Sequence, residues 1–111
     1  MTREEQRLKL IEDHLIYTET NLKAIVTYAT QAFCDISGYS KEELIGKPHN
    51  IVRHRDMPQK AFKDMWDTIK KGEDWKGEIK NRNKNGEYCW LRTTISPLYD
   101  DNEIVGYGSS R

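Results

Sequence analysis

Hydrophobic and polar positions follow two different periods along this chain. Near the start, Leu8, Ile11 and Leu15 recur at helical intervals and Thr2 with Glu5 has the spacing of a capping box, so a leading helix is expected over residues 1–16. Ile16 to Tyr28 reads as two short strands broken at Asn21, a residue type that accepts turn geometry. Thr30 is placed to cap a short helix carrying Ala32, Phe33 and Ile36 inward, and Gly38 to end it in the left-handed conformation. Ser40 and Glu43 have the spacing of a second capping box; Leu44 and Ile45 supply its buried side, and Gly46 with Pro48 stops it.

Residues 47–56 have no regular period. From Pro58 onward, Ala61, Phe62, Met65, Trp66 and Ile69 make one helical stripe, and Lys70, Lys71 and Gly72 supply a favourable C-terminus. The period then changes from 3.6 to 2. Trp75–Arg82 is expected to be a strand, Asn83–Gly86 a hairpin turn, and Glu87–Leu98 a long strand. In that strand Cys89, Leu91, Thr93 and Ile95 should face inward, with Tyr88, Trp90, Arg92, Thr94 and Ser96 outward. A turn at Asp100, Asp101 and Asn102 leads to a last strand, Ile104–Ser110. The expected fold is α+β: a five-stranded antiparallel sheet covered on one face by short helices, with an N-terminal cap helix over 1–16 and one domain over 17–111.

Composition narrows the function classes. The 111 residues carry 18 Lys+Arg against 18 Asp+Glu, a formal net charge of zero, which leaves no overall basic field to hold nucleic acid or anionic lipid. No apolar run approaches the ~20 residues of a membrane span, and the opening residues lack the apolar stretch of a secretory signal, so a cytoplasmic protein without membrane insertion is expected. Cys34 and Cys89 form no Cys-x-x-Cys pair and read as plain buried thiols rather than a metal site or a disulfide framework. No nucleophile–base pair, metal cluster or phosphate-binding glycine loop is visible, so an enzyme is not expected.

The run Phe33-x-x-Ile36-Ser37-Gly38-Tyr39-Ser40-x-x-Glu43-Leu44-Ile45-Gly46 resembles the early helices of PAS domains. Narrower motifs follow: Pro48-His49-Asn50-Ile51-Val52-Arg53-His54-Arg55-Asp56-Met57-Pro58, Phe62-x-x-Met65-Trp66, Trp75-x-Gly77 and Asn81-Arg82-x-Lys84-Asn85-Gly86. Together these resemble the sensing domain of bacterial aerotaxis receptors, from about Tyr17 onward. The resemblance implies non-covalent binding of flavin adenine dinucleotide (FAD), with the redox state of the isoalloxazine ring as the signal. It implies Arg53, His54, Asp56, Trp75 and Asn81 as flavin-associated residues, with His49 and Asn50 as further cofactor contacts in the same segment. The expected partners are a chemotaxis signalling domain or a histidine kinase, in cis or in trans, together with a second copy in a homodimer. Arg55 stands where that family usually has proline, which loosens the local backbone and adds a charge. Light-sensing relatives place a reactive cysteine after a Gly-x-Asn triplet, whereas here Gly46-Lys47-Pro48 leads to His49, so adduct photochemistry is not expected.

Each of these residues also has a reading without a ligand. Asn81 lies two residues from Ile79, so both can point inward; a buried amide without partners costs ~1–3 kcal/mol, which either backbone groups or the donor and acceptor of a flavin's pyrimidine edge can offset. Trp75 is a core aromatic or a ring stacked on the flavin. Arg53 and His54 meet a diphosphate or lie in a solvated loop, and Asp56 stands where an N-cap for the Pro58 helix belongs. His14 reads as a surface residue, and Phe62 and Trp66 read as core rather than cofactor contacts. Trp90 and Arg92 share the outward face, within cation–π reach, and imply a surface covered by the leading helix or a partner chain. Two other functions compete with the flavin sensor: a haem-binding gas sensor with His49 or His54 as ligand, and a cofactor-free dimerisation module.

Overall fold

The computed structural model describes Glu5, residues 15–49 and residues 59–111. In chain order the elements are β1 (Tyr17–Asn21), β2 (Val26–Ala29), α1 (Gln31–Ser37), α2 (Lys41–Leu44), α3 (Gln59–Lys70), β3 (Trp75–Arg82), β4 (Tyr88–Asp100) and β5 (Glu103–Ser110). The five strands form one sheet in the order β2-β1-β5-β4-β3, with every neighbouring pair antiparallel. The α+β architecture expected from the hydrophobic pattern is the one observed. The central pair β1 and β5 approaches so closely at Gly106 that a Cβ there would collide with the Thr20 carbonyl oxygen, which explains a glycine in mid-strand.

Asparagine side chains build two of the turns. Asn21 Oδ1 accepts hydrogen bonds from the backbone N–H of Lys23 at 2.9 Å and of Ile25 at 3.1 Å, and Ala24 takes a positive φ of 63° inside the loop they close. Asn83 repeats the device between β3 and β4, accepting from Asn85 at 3.0 Å and Glu87 at 2.9 Å. The helices start as their sequence dictates. Thr30 Oγ1 accepts from Phe33 N–H at 3.3 Å, and Ser40 and Glu43 exchange the two bonds of a capping box. Glu43 also meets Lys84 at 2.6 Å, joining α2 to the β3–β4 turn, although an exposed pair contributes only ~0–1 kcal/mol.

The buried side chains fall into two clusters. Val26, Ala29, Phe33, Cys34 and Leu44 fill the space between β2 and the short helices. Met65, Ile69, Ile79, Ile95 and Tyr107 fill the space between α3 and β3–β5. Three expected core residues are instead exposed. Ile36 is turned outward because α1 buries Phe33, Cys34 and Ser37, one face of a seven-residue helix. Ile45 leaves α2 in an extended conformation as its C-cap, which turns the side chain to solvent. Cys89 sits near the tip of the β3–β4 hairpin, where residues 84–90 are all exposed, so its thiol is free and accessible while Cys34 is buried as expected.

The leading helix lies almost wholly outside the described residues. Glu5 is helical, whereas Leu15 and Ile16 belong to no helix and Leu15 is half exposed. Among the described residues, no helix is long and apolar enough to cross a membrane.

Candidate functional site

A cavity of about 320 Å³ opens between α3 and the inner face of the sheet. That is at the small end of the ~300–1,000 Å³ range of ligand pockets. Phe62, Met65, Trp66 and Ile69 of α3 line one wall, and Ile79, Ile95 and Tyr107 of the sheet line the other. Trp66 and Tyr107 meet edge to face, their centroids 5.5 Å apart. Polar groups are few: Thr20, Lys23, His49, Asn81, Ser109 and Arg111.

Asn81 reaches the cavity by strand alternation. It shares the inner face of β3 with Ile79 and is 9% exposed. No hydrogen bond joins its amide to a described residue, so both its donor and its acceptor remain available where it borders the cavity.

His49 is delivered by a short pairing that follows α2. Val26 N–H donates to Lys47 O at 2.9 Å, Ile25 bridges Pro48, and His49 N–H donates to Ala24 O at 2.9 Å. These bonds set the imidazole against Thr18 on the inner face of β1, with Thr18 Oγ1 2.8 Å from His49 Nε2. The third member of the cluster is Arg111, which the sequence reading missed. Its Nη1 donates to Thr18 Oγ1 at 3.2 Å and to Ser109 O at 3.4 Å, and its Nη2 lies 3.2 Å from His49 Nε2. The guanidinium also stands 4.7 Å over the Phe33 ring.

Electrostatics follow from this enclosure. Burial, reinforced by the neighbouring Arg111 cation, pushes the His49 imidazole down to about 4. Burial alone lowers Arg111 to about 10, so it stays protonated at neutral pH. Arg111 as a residue keeps some contact with solvent, yet its Nε is shut away and has no hydrogen-bond partner. A lone arginine at the end of a strand carries no motif; only its inward register beside Ser109 could have flagged it.

Trp75 occupies a different position. It packs against the α3 cluster without lining the cavity, its ring folded over Gly77, where a Cβ would sit 2.5 Å from the indole. Its Nε1 donates to Asp64 of α3 at 3.3 Å. Phe62 and Trp66, read from sequence as core, pack against the α3 cluster and also line the cavity. Asn50, Arg53, His54 and Asp56 lie outside the described residues. Residues 50–58 join His49 to α3, and the cavity is lined on both sides of that segment, by His49 and by Phe62. Neither cysteine lines the cavity. The outward Trp90 takes its cation from β3: Lys80 Nζ is 4.1 Å from the Tyr88 ring centroid and 5.9 Å from that of Trp90.

A five-stranded antiparallel sheet with short helices on one face and a ligand-sized cavity beneath the longest of them defines a small α+β architecture with one candidate binding site. A family model described as PAS fold matches residues 26–109, and the chain belongs to that family. It is 46% identical over 107 residues to the aerotaxis receptor of Escherichia coli K12, a match covering 96% of this chain and 21% of the receptor, so the chain spans about a fifth of that relative's length. The nitrogen fixation regulatory protein of Klebsiella pneumoniae is 28% identical over 79 residues, 71% of this chain and 16% of that protein. Among solved structures, the PAS domain of a Colwellia psychrerythraea protein matches with a TM-score of 0.88 at 25% identity, covering 99% of this chain and 96% of that one. A light-oxygen-voltage domain from a study of a flavin analogue matches with a TM-score of 0.83 at 21% identity, covering 96% and 82%, and shows the shared fold alone. The chain is therefore a PAS sensory domain related to the aerotaxis receptor and to signal-transduction proteins.

Proposed function

We propose that this domain binds FAD without a covalent bond and passes the redox state of the ring to a signalling partner, a chemotaxis signalling domain or a histidine kinase. The observation that carries this reading is the unpaired amide of Asn81 at the edge of an apolar, aromatic-walled cavity. A flavin's pyrimidine edge presents a donor and an acceptor, which is what a primary amide matches, and Phe62, Trp66 and Tyr107 suit the flat apolar body of the ring. The orphaned Nε of Arg111 is a second polar atom that a ligand edge can satisfy. About 320 Å³ suits a ring system rather than a whole dinucleotide, so the diphosphate and adenosine would have to be held outside this cavity, a role for which Asn50, Arg53, His54 and Asp56 are the candidates. Bound there, a flavin would supply reversible redox chemistry, and the chain's own residues would orient it, exclude water and read its charge. Trp75 supports the site by holding α3 on the sheet through Asp64.

The haem reading is disfavoured at His49. Its Nε2 already faces Thr18 Oγ1 and a guanidinium that can only donate, an environment that engages the lone pair an iron would need. The relation to a 46% identical aerotaxis receptor favours the sensor over a cofactor-free dimerisation module. The absorption spectrum of freshly purified protein tests the choice: twin bands in the blue and near ultraviolet support flavin, a Soret band supports haem, and a colourless protein that takes up no added flavin supports the empty module.

A further inference from the structure

Arg111 brings a positive charge to a cavity that Lys23 also lines, and among the described residues its direct partners are all neutral. These partners are the Thr18 hydroxyl, the Ser109 carbonyl, the His49 imidazole and the Phe33 ring, with no carboxylate among them. A buried cation left without an anionic partner costs several kcal/mol. Tying β5 to β1 needs no charge, since a neutral donor to Thr18 and Ser109 would serve. The Nε has no hydrogen-bond partner among the described residues, and the residue lines the cavity. His49 offers no competing charge, because burial and Arg111 itself keep the imidazole neutral.

We infer that Arg111 is a positioning residue that favours negative charge on the ligand ring, so that the site holds reduced flavin more tightly than oxidised flavin, an inference that rests on the flavin reading above. The balance is simple: two electrons and one proton added to the neutral ring leave it with one negative charge. In the test the electrons come from dithionite, which is oxidised to sulfite. A fixed cation held at the wall of a largely apolar cavity stabilises that charge more than it would in bulk water.

The experiment is a reductive titration of the flavin-loaded protein against a reference dye, comparing wild type with the neutral variants Arg111→Gln and Arg111→Met and the charge-preserving Arg111→Lys. The neutral variants should lose roughly tenfold of the preference for reduced flavin, a shift of about −30 mV for a two-electron couple, with Arg111→Lys close to wild type. Thermal unfolding of the ligand-free proteins gives an independent readout: removing an uncompensated charge should leave the neutral variants at least as stable as wild type. Equal midpoint potentials in wild type and the neutral variants overturn the inference while leaving flavin binding intact. Failure of both neutral variants to fold makes Arg111 a structural peg and also overturns it. A wild type that takes up no flavin removes the inference together with the proposed function.

Discussion

The guanidinium of Arg111 lies 3.2 Å from Nε2 of His49, two residues 62 apart in sequence that meet where β1 and β5 run side by side. A guanidinium has no lone pair to offer, so Nε2 must accept and the ring proton belongs on Nδ1. His49 is therefore a neutral member of a buried polar cluster between the two hydrophobic clusters, touching Phe33 of the first and sharing the cavity with Met65 and Tyr107 of the second.

That neutrality sets a pH dependence. His49 titrates near 4 in the fold against an ordinary value of about 6.5, so between those values the unfolded chain binds more protons. The stability associated with neutral His49 is fully present above pH 6.5 and is lost as pH falls toward 4. Denaturant unfolding of wild type and His49→Gln should show wild type losing on the order of 1–3 kcal/mol more than the variant across this window. Parallel pH profiles would show that the imidazole charges freely inside the fold.

Asn81 should matter to the ligand more than to the fold. Asn81→Ala removes an amide with no hydrogen bond to a described residue, so its stability cost should be small, while flavin affinity falls ten- to a hundredfold, the ~1–3 kcal/mol of lost hydrogen bonds. Asn81→Asp is the sharper probe. A carboxylate at the cavity edge repels a reduced, anionic ring and should lower the midpoint potential. Flavin dissociation constants and redox titrations of both variants check this, and values matching wild type would place Asn81 away from the ring.

The outer sheet face gives a third expectation. Tyr88 and Trp90 are more than half exposed there, with the Lys80 ammonium between their rings. A leading helix with Leu8 and Ile11 on one side, or a second copy bringing such a helix, would cover this surface. Light scattering should give a dimer mass for the full chain, and deleting Met1 to His14 should abolish the dimer and lower the thermal midpoint. An unchanged mass and midpoint would contradict both forms of cover.

Most of the fold was legible because its signals are local. Capping pairs such as Ser40 with Glu43, the Asn83–Gly86 turn and the strict alternation of Trp75–Arg82 each depend on residues a few positions apart. The errors came where tertiary placement decides: Ile36, Ile45 and Cys89 sit in periodic positions, but each is left exposed among the described residues. The same limit applies to the site. Asn81 was legible from alternation beside Ile79, whereas Arg111 acquires its role only because β5 lies against β1 and brings it to Thr18 and His49. Trp66 and Phe62 were legible as core, against which they pack, but not as cavity lining, because a helical stripe gives the same pattern whether it faces side chains or a cavity.

The central claim is that this cavity holds FAD. Heating the purified protein, removing the precipitate and separating the supernatant by chromatography should release FAD in near-equal amount to the protein, with the yellow colour leaving the protein fraction. Recovery of the mononucleotide alone would correct the cofactor to the smaller flavin. Recovery of haem, or of no chromophore from a protein that also fails to take up added FAD, would contradict the account.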